Sequence, residues 1–434
     1  MKNNVIVKEN ATLREKYYFI RHCSGLKIYV FPKQMSTCYA LLATKYGAID
    51  NCFCIDQNGD YTTVPDGIAH FLEHKLFETE DGEETDARFA AIGASSNAFT
   101  SSDITAYEVS CTDRFYEALE ILLDFVTHPY FTEENVAKEQ GIIGQEIDMC
   151  DDMPSRRLYY EILHALYENN NTRINVCGTH ASIAGITPQH LYTCYHTFYR
   201  PSNMTLVVCG DVDHKQVQAL ADAYFKEQPS ADIDRYFAAE PPCIAKKRTS
   251  ITMQVARPMF AIGVKDTSPA VGTREAVRRG MIFCIVADWI FGTSSLFYEE
   301  AYRTGLINAR FSAGYENYRT CGFFLFTGET DEPEKVYQRI LQEAKSACRT
   351  PPSHEDFSRV KKTIYAEYIR DFDSTEEIAN NLLTFSTLDV DILDVGDIIK
   401  SITYEEAVAA MQELFREEQF AMSTILPATE MNQG

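Results

Sequence analysis

The segment His70-Phe71-Leu72-Glu73-His74 carries two imidazoles and a carboxylate within five residues. On an α-helix the two histidines stand one turn apart on the same face. Imidazole nitrogens at that spacing can share one zinc ion. Glu73 lies on the adjoining side, where its carboxylate can take a proton from water that a metal has acidified to a pKa of about 7. The neighbours favour the helix: Leu72, Lys75 and Leu76 are good helix formers, and no Gly or Pro falls between Ile68 and Glu80.

A hydrolytic zinc site uses three protein ligands and leaves the fourth position to water. The third is offered downstream, between Phe131 and Asp148. Thr132 is an N-cap residue, Glu133 and Glu134 suit the first turn, and Val136, Ile143 and Ile147 form an apolar stripe. Glu139 and Glu146 are seven residues apart and project from one face of that helix. One of them can bind the metal while the other orients a ligand from behind. The competing reading is two ordinary solvated glutamates.

H-x-x-E-H, the inverzincin signature, followed about 70 residues later by E-x6-E, resembles the M16 metallopeptidases. This is the group of pitrilysin, insulin-degrading enzyme and mitochondrial processing peptidase. The resemblance implies that His70, His74 and Glu146 bind Zn2+, that Glu73 is the catalytic base, and that Glu139 is a supporting catalytic carboxylate. Further stretches fit the same family: Tyr46-Gly47-Ala48, Ser96-Asn97-Ala98-Phe99-Thr100-Ser101, Gly178-Thr179, Tyr199 to Met204 and Leu206 to Asp211. It covers nearly the whole chain, most sharply residues 40–212.

The elements that must hold these residues follow from periodicity. The chain of 434 residues is long enough for two units of about 200 each. The first half predicts strands at Leu26 to Phe31, Cys38 to Thr44 and Ala106 to Cys111. Helices are predicted at Gly67 to Glu78, Asp113 to Thr127, Glu133 to Met149, Pro154 to Tyr167 and Pro188 to Phe198. Glu227 to Lys247 carries Pro229, Pro241 and Pro242 with little periodicity and reads as a linker. The second half repeats the order: a strand at Phe260 to Val264, an apolar helix from Arg274 to Phe291, a strand at Phe323 to Thr327, and helices at Pro333 to Cys348 and Ser353 to Arg370. The expected fold is therefore α+β. The resemblance implies two homologous domains, each a mixed β-sheet with helices packed on one face. Residues 1–226 form the metal-binding domain, 227–247 the linker and 248–434 an inactive copy. The copy has no H-x-x-E-H, since its equivalent helix reads Cys284-Ile285-Val286-Ala287-Asp288-Trp289-Ile290.

Ser96 to Ser101 mixes small, polar and aromatic residues ahead of a β-rich segment. An edge strand there can pair with an extended peptide through main-chain hydrogen bonds. The resemblance places Asn97, Ala98, Phe99 and Thr100 against substrate. It also exposes a departure. Catalytic members carry an Arg and a Tyr in the second half, within S-x-L-F-x-x-x-R-E-K-x-G-L-A-Y, which contact substrate and stabilise the tetrahedral intermediate. Here Ala301 stands at the Arg position and Asn308 or Ala309 at the Tyr position; Arg303, Arg310 and Tyr315 are the nearby substitutes. The pattern is similar to the zinc-bearing chain of two-chain bacterial members. It implies a homodimer, or a heterodimer with a second M16-like chain that supplies the Arg/Tyr pair.

Net charge is −23, which argues against nucleic acid as a partner. No run of about 18 apolar residues occurs, so no membrane span is expected. The polar stretch Met1 to Lys16 predicts no signal peptide. Thirteen cysteines without a framework suit reduced thiols and a cytoplasmic location. The expected activity is zinc-dependent endopeptidase cleavage of peptides or small unfolded polypeptides in a closed chamber. The alternative, a non-catalytic M16-like scaffold subunit, gives no reason to keep His70, Glu73, His74 and Glu146 together.

Overall fold

Cys38–Thr44 and Met204–Gly210 are buried along almost their whole length. Such strands must lie at the centre of a sheet that is covered on both faces. The computed structural model, which describes residues 4–55, 59–80, 82, 84–227 and 232–428, places them side by side in a seven-stranded sheet. The strand order is Asn4–Asn10, Glu15–Arg21, Lys27–Pro32, Met204–Gly210, Cys38–Thr44, Thr105–Cys111 and Ser95–Thr100. Lys27–Pro32 and Met204–Gly210 run parallel; every other neighbouring pair is antiparallel.

The second half builds a five-stranded sheet in the order Arg248–Met253, Phe420–Pro427, Met259–Lys265, Gly322–Glu329 and Ser312–Asn317. Its first pair is parallel and the rest antiparallel. That is the order and sense of the first sheet from Lys27–Pro32 onwards, so the duplication is visible in topology. The chain is an α+β protein of two homologous mixed sheets with helices.

Each half packs its own helices on one face of its sheet. In the first, Ile68–Leu76, Phe115–Thr127 and Pro188–Phe198 contribute Phe71, Leu72, Leu119, Leu122 and Phe198 to one core with Ile28, Leu42 and Leu206. In the second, Arg274–Phe291, Pro333–Arg349 and Tyr404–Leu414 enclose Phe283, Trp289, Phe291, Ile340 and Met411. Burying one such side chain is worth about 1.5–3 kcal/mol. The opposite faces are covered by exchange. Thr375–Thr387, from the second half, lays Ile378, Leu382 and Leu383 on a cluster with Tyr29, Phe31, Leu41 and Val207 of the first sheet. Pro154–Leu166, from the first half, lays Leu158, Ile162 and Leu166 on a cluster with Ala261, Phe323 and Ile425 of the second. The fit is close: a Cβ on Gly263 would stand 2.7 Å from Leu166 Cδ1.

Two elements differ from the sequence expectation. The polar start of the chain forms the hairpin Asn4–Asn10 with Glu15–Arg21. Its outer strand is mostly exposed, so burial leaves little alternation to read. Within 227–247, Asp234–Arg235 pairs with Phe53–Cys54 in a small three-stranded sheet. Arg235, within that segment, and Arg319, from the second half, both reach Asp50, at 2.9 and 2.8 Å. Arg319 also lies 3.6 Å from Asp103, so the two halves meet through a buried ion cluster as well as through the exchanged helices. Among the described residues, no single helix is long and apolar enough to cross a membrane.

Candidate metal centre

The helix Ile68–Leu76 is fixed at both ends. Its N-cap, Gly67, has φ 88°, a left-handed conformation that costs glycine nothing. A Cβ there would also collide with Cys177 O at 2.6 Å. Phe71, Leu72 and Leu76 anchor the helix in the first core. The second helix, Glu133–Asp151, begins at Thr132 with a capping box: Thr132 accepts from Asn135 N, and the Asn135 side chain accepts from Thr132 N. Val136, Ile143 and Ile147 bury its apolar stripe.

The two helices bring His70, Glu73, His74, Glu139 and Glu146 into one site. His70 Nε2 lies 3.5 Å from Glu146 Oε1, and His74 Nε2 lies 3.5 Å from Glu146 Oε2. The imidazole rings are 4.5 Å apart between centroids and inclined at 60°. Zinc ligands at about 2.0–2.2 Å in a tetrahedron stand roughly 3.3–3.5 Å from one another. The spacing therefore fits a metal between these three groups, and two imidazoles with a carboxylate are zinc-type donors. His74 Nδ1 is 3.1 Å from Glu139 Oε1, which fixes the ring and leaves Nε2 for the site. Lys75 closes the row, 2.6 Å from Glu78 and 3.7 Å from Glu139.

Glu73 is buried beside this pair, and Thr100 Oγ1 donates to its Oε2 at 2.6 Å. Burial raises the Glu73 carboxyl above the usual carboxylate value, although the Thr100 hydrogen bond and His74 pull it down. Burial pushes His70 down to about 3, with His74 and Arg156 adding to the effect, so its imidazole is neutral near neutral pH. Burial would lower His74 too, but the hydrogen bond to Glu139 and the charges of Glu73, Glu139 and Glu146 raise it above the usual imidazole value. Burial opposes the charged form of Glu139, yet the His74 hydrogen bond with the His74, Lys75 and Lys138 charges holds it below the usual carboxylate value.

Ser95–Thr100 is the last strand of the sheet and, among the described residues, pairs only with Thr105–Cys111. Thr100 touches Glu73 and Ala98 packs on the first core, whereas Phe99 joins the cluster between the halves. Asn97 is exposed opposite Glu108. The four residues thus share one edge strand, and Thr100 joins it to Glu73 through a hydrogen bond. In the second half, Ala301 is buried and Asn308 Nδ2 is 3.5 Å from Glu329. Arg310 pairs with Glu329, Tyr315 donates to Asp266 at 2.7 Å, and Arg303 ends an exposed helix turn. Among the described residues, the second half holds no cluster of three metal-type donors.

Two residues at the site carry no sequence signal. Cys177 Sγ lies 3.7 Å from Glu146 Oε1, and Arg156 Nη2 lies 3.0 Å from Cys177 Sγ. A lone Cys and a helix Arg, 31 and 10 residues from Glu146, have no spacing that would tie them to it. Only the neighbouring Gly178-Thr179 marks the loop.

The insulinase (peptidase family M16) profile matches residues 62–180, and the peptidase M16 inactive domain profile matches residues 185–364. The chain is 36% identical over 423 residues to the uncharacterized zinc protease YmfH of Bacillus subtilis (strain 168), covering 96% of this chain and 98% of that one. It is 30% identical over 186 residues to the mitochondrial-processing peptidase subunit beta of Caenorhabditis elegans, about two-fifths of each chain (41% and 40%). Among solved structures, an M16-like peptidase from Alicyclobacillus acidocaldarius superposes with a TM-score of 0.90 at 33% identity, covering 99% of both chains. A protease from Helicobacter pylori shares the fold at a TM-score of 0.83 and 18% identity, covering 95% of this chain and all (100%) of that one. Identity of this extent along the full length, with both profiles matched, places the chain in peptidase family M16.

Proposed function

We propose that this chain is a zinc-dependent endopeptidase subunit, with His70, His74 and Glu146 as the metal ligands and Glu73 as the general base. One observation carries the reading. Both histidine Nε2 atoms converge on the two oxygens of a single carboxylate, at 3.5 Å each, with a second buried carboxylate alongside. When bound, zinc would supply a Lewis acid for the peptide carbonyl and acidify the attacking water. Glu73 takes the proton of that water and can pass it to the leaving amine. Its raised pKa brings it towards the range where both transfers are efficient. Glu139 holds His74 in the tautomer that presents Nε2. The free edge of Ser95–Thr100 binds extended peptide through its main chain, which gives affinity with loose sequence preference.

Residues 1–226 form the catalytic unit in this reading, and 248–434 form the facing wall. Tyr315 and Arg310 are engaged with carboxylates of their own half, and Ala301 is buried. A second M16-like chain carrying the Arg/Tyr pair would complete the oxyanion donors. Metal analysis tests the core of the reading: the purified chain is expected to hold about one zinc, and the His70→Ala, His74→Ala double variant none. Stoichiometric zinc retained by that variant would refute the site.

A further inference from the structure

Cys177 is the side chain at this site to which hydrolysis gives no task. Its Sγ, a His70 ring nitrogen and a Glu146 carboxylate oxygen all lie within 4.8 Å of one another. A buried cysteine is most often a small apolar filler. Here the neighbours of the sulfur include a carboxylate, at 3.7 Å, and a guanidinium, at 3.0 Å. The backbone that carries the sulfur is held in place. Asn175 caps the turn, accepting from Cys177 N at its side chain (3.1 Å) and from Gly178 N at its carbonyl (2.8 Å). Gly178 has φ 74°, and a Cβ on it would stand 2.5 Å from Asp66 O; a Cβ on Gly67 would stand 2.6 Å from Cys177 O. The Cys177 loop and the start of the histidine helix are therefore clamped backbone to backbone. The thiol is 1% exposed, so its reactive neighbourhood is the site itself and not solvent.

We propose that Cys177 is a fourth donor to the metal held by His70, His74 and Glu146, closing the site in the isolated chain; this rests on the zinc reading above. The exchange is a ligand substitution without redox change. The S–H bond breaks, its proton leaves to solvent, and Sγ bonds the metal in place of water. Burial disfavours the thiolate this requires, the Arg156 N–H directed at Sγ favours it and the Glu146 charge opposes it, so the bound metal itself would have to draw the proton from sulfur. Four protein donors make a closed site of the structural kind, whereas hydrolysis needs the fourth position open. Cys177 therefore holds the isolated chain latent until the sulfur is displaced.

Cobalt(II) replaces zinc in the full chain and reports its ligands in absorbance. The wild-type chain is expected to show a sulfur-to-cobalt charge-transfer band in the near ultraviolet. Cys177→Ser and Cys177→Ala should keep one cobalt per chain and lose the band. They should also release zinc to a chelator roughly ten times faster or more, and cleave peptide faster than the wild type, not more slowly. Cobalt that binds stoichiometrically and depends on His70 and His74, with no such band in the wild type, overturns the role of Cys177 and leaves the zinc site standing. Cobalt binding that ignores His70 and His74 overturns the zinc site, and this inference with it. The wild-type spectrum decides the matter even where a variant fails to fold.

Discussion

Thr100→Val is the substitution that tests most closely how the fold tunes the base. Thr100 Oγ1 lies 2.6 Å from Glu73 Oε2 and 3.3 Å from Thr105 Oγ1. Thr105 spends its own proton on Tyr46 O, at 2.9 Å. The hydroxyl proton of Thr100 is therefore directed at the Glu73 carboxylate. Valine keeps the shape and removes that donor. A hydrogen bond to a charged group contributes about 1.5–3 kcal/mol, and one pKa unit corresponds to about 1.36 kcal/mol. Glu73 is 6% exposed, so solvent screens little of this. The bond favours the carboxylate, and losing it raises the Glu73 pKa further by about one to two units.

Glu73 acts in its ionised form, so the acidic limb of kcat/KM should move to higher pH by the same one to two units, while the basic limb stays in place. The assay is a pH profile with a fluorogenic peptide on the zinc-loaded chain, together with a related chain where one is needed for turnover. Zinc content should be unchanged. A uniform fall in rate with an unmoved acidic limb would refute the reasoning, and would make Thr100 a support of the edge strand only.

The other expectations use the same geometry. Glu73→Gln should retain zinc while turnover falls by about 10² or more; loss of metal with activity would make Glu73 a ligand. Glu139→Gln should weaken zinc binding by roughly 10- to 100-fold, less than Glu146→Gln, as read by chelator competition. In metal-free protein the His74–Glu139 pair has a defined pH window. His74 is raised on folding, so its contribution is complete below the unfolded imidazole value of about 6.5 and is lost as pH rises through the folded one. Glu139 is depressed, so its contribution is complete above the unfolded value of about 4.3 and is lost as pH falls through the folded one. Thermal melts of the metal-free chain should show this contribution greatest between about pH 4.3 and 6.5, and Glu139→Gln should flatten it. The zinc-loaded isolated chain should cleave peptides weakly, since one missing oxyanion donor costs about 3–4 kcal/mol. Adding an M16-like chain with the Arg/Tyr pair should restore cleavage, and vigorous cleavage by the isolated chain would count against the partner.

The histidine helix and the glutamate helix were legible because their signals are local. A capping residue, an apolar stripe and ligands at one-turn and two-turn spacing all fall within single elements. The expected helix Pro188 to Phe198 and the strand Cys38 to Thr44 have those bounds in the structure. What stayed hidden depends on distant chain segments meeting. Thr100 was read as substrate-facing, yet its hydroxyl serves Glu73, 27 residues away. Cys177 reaches Glu146 through a loop whose position is set by two glycines with positive φ. The exchange of Pro154–Leu166 and Thr375–Thr387 left no mark, because an amphipathic stripe says that a helix is covered and not which sheet covers it.

That exchange explains how one half can lack the metal residues and still be indispensable. Aligned on their caps, Thr132 and Ser353, the two long helices place Glu367 opposite Glu146 but Val360, which is buried, opposite Glu139. The second-half counterpart of the histidine helix, Arg274–Phe291, is twice as long and buries Phe283, Val286, Trp289 and Phe291. Its buried face is committed to packing, and it carries no H-x-x-E-H. Removing the half would strip Thr375–Thr387 from the first sheet and leave Tyr29, Phe31, Leu41 and Val207 facing water. It would also take Arg319 from Asp103 and leave Asp50 with Arg235 alone. The second copy covers the back of the sheet whose front carries the proposed metal site.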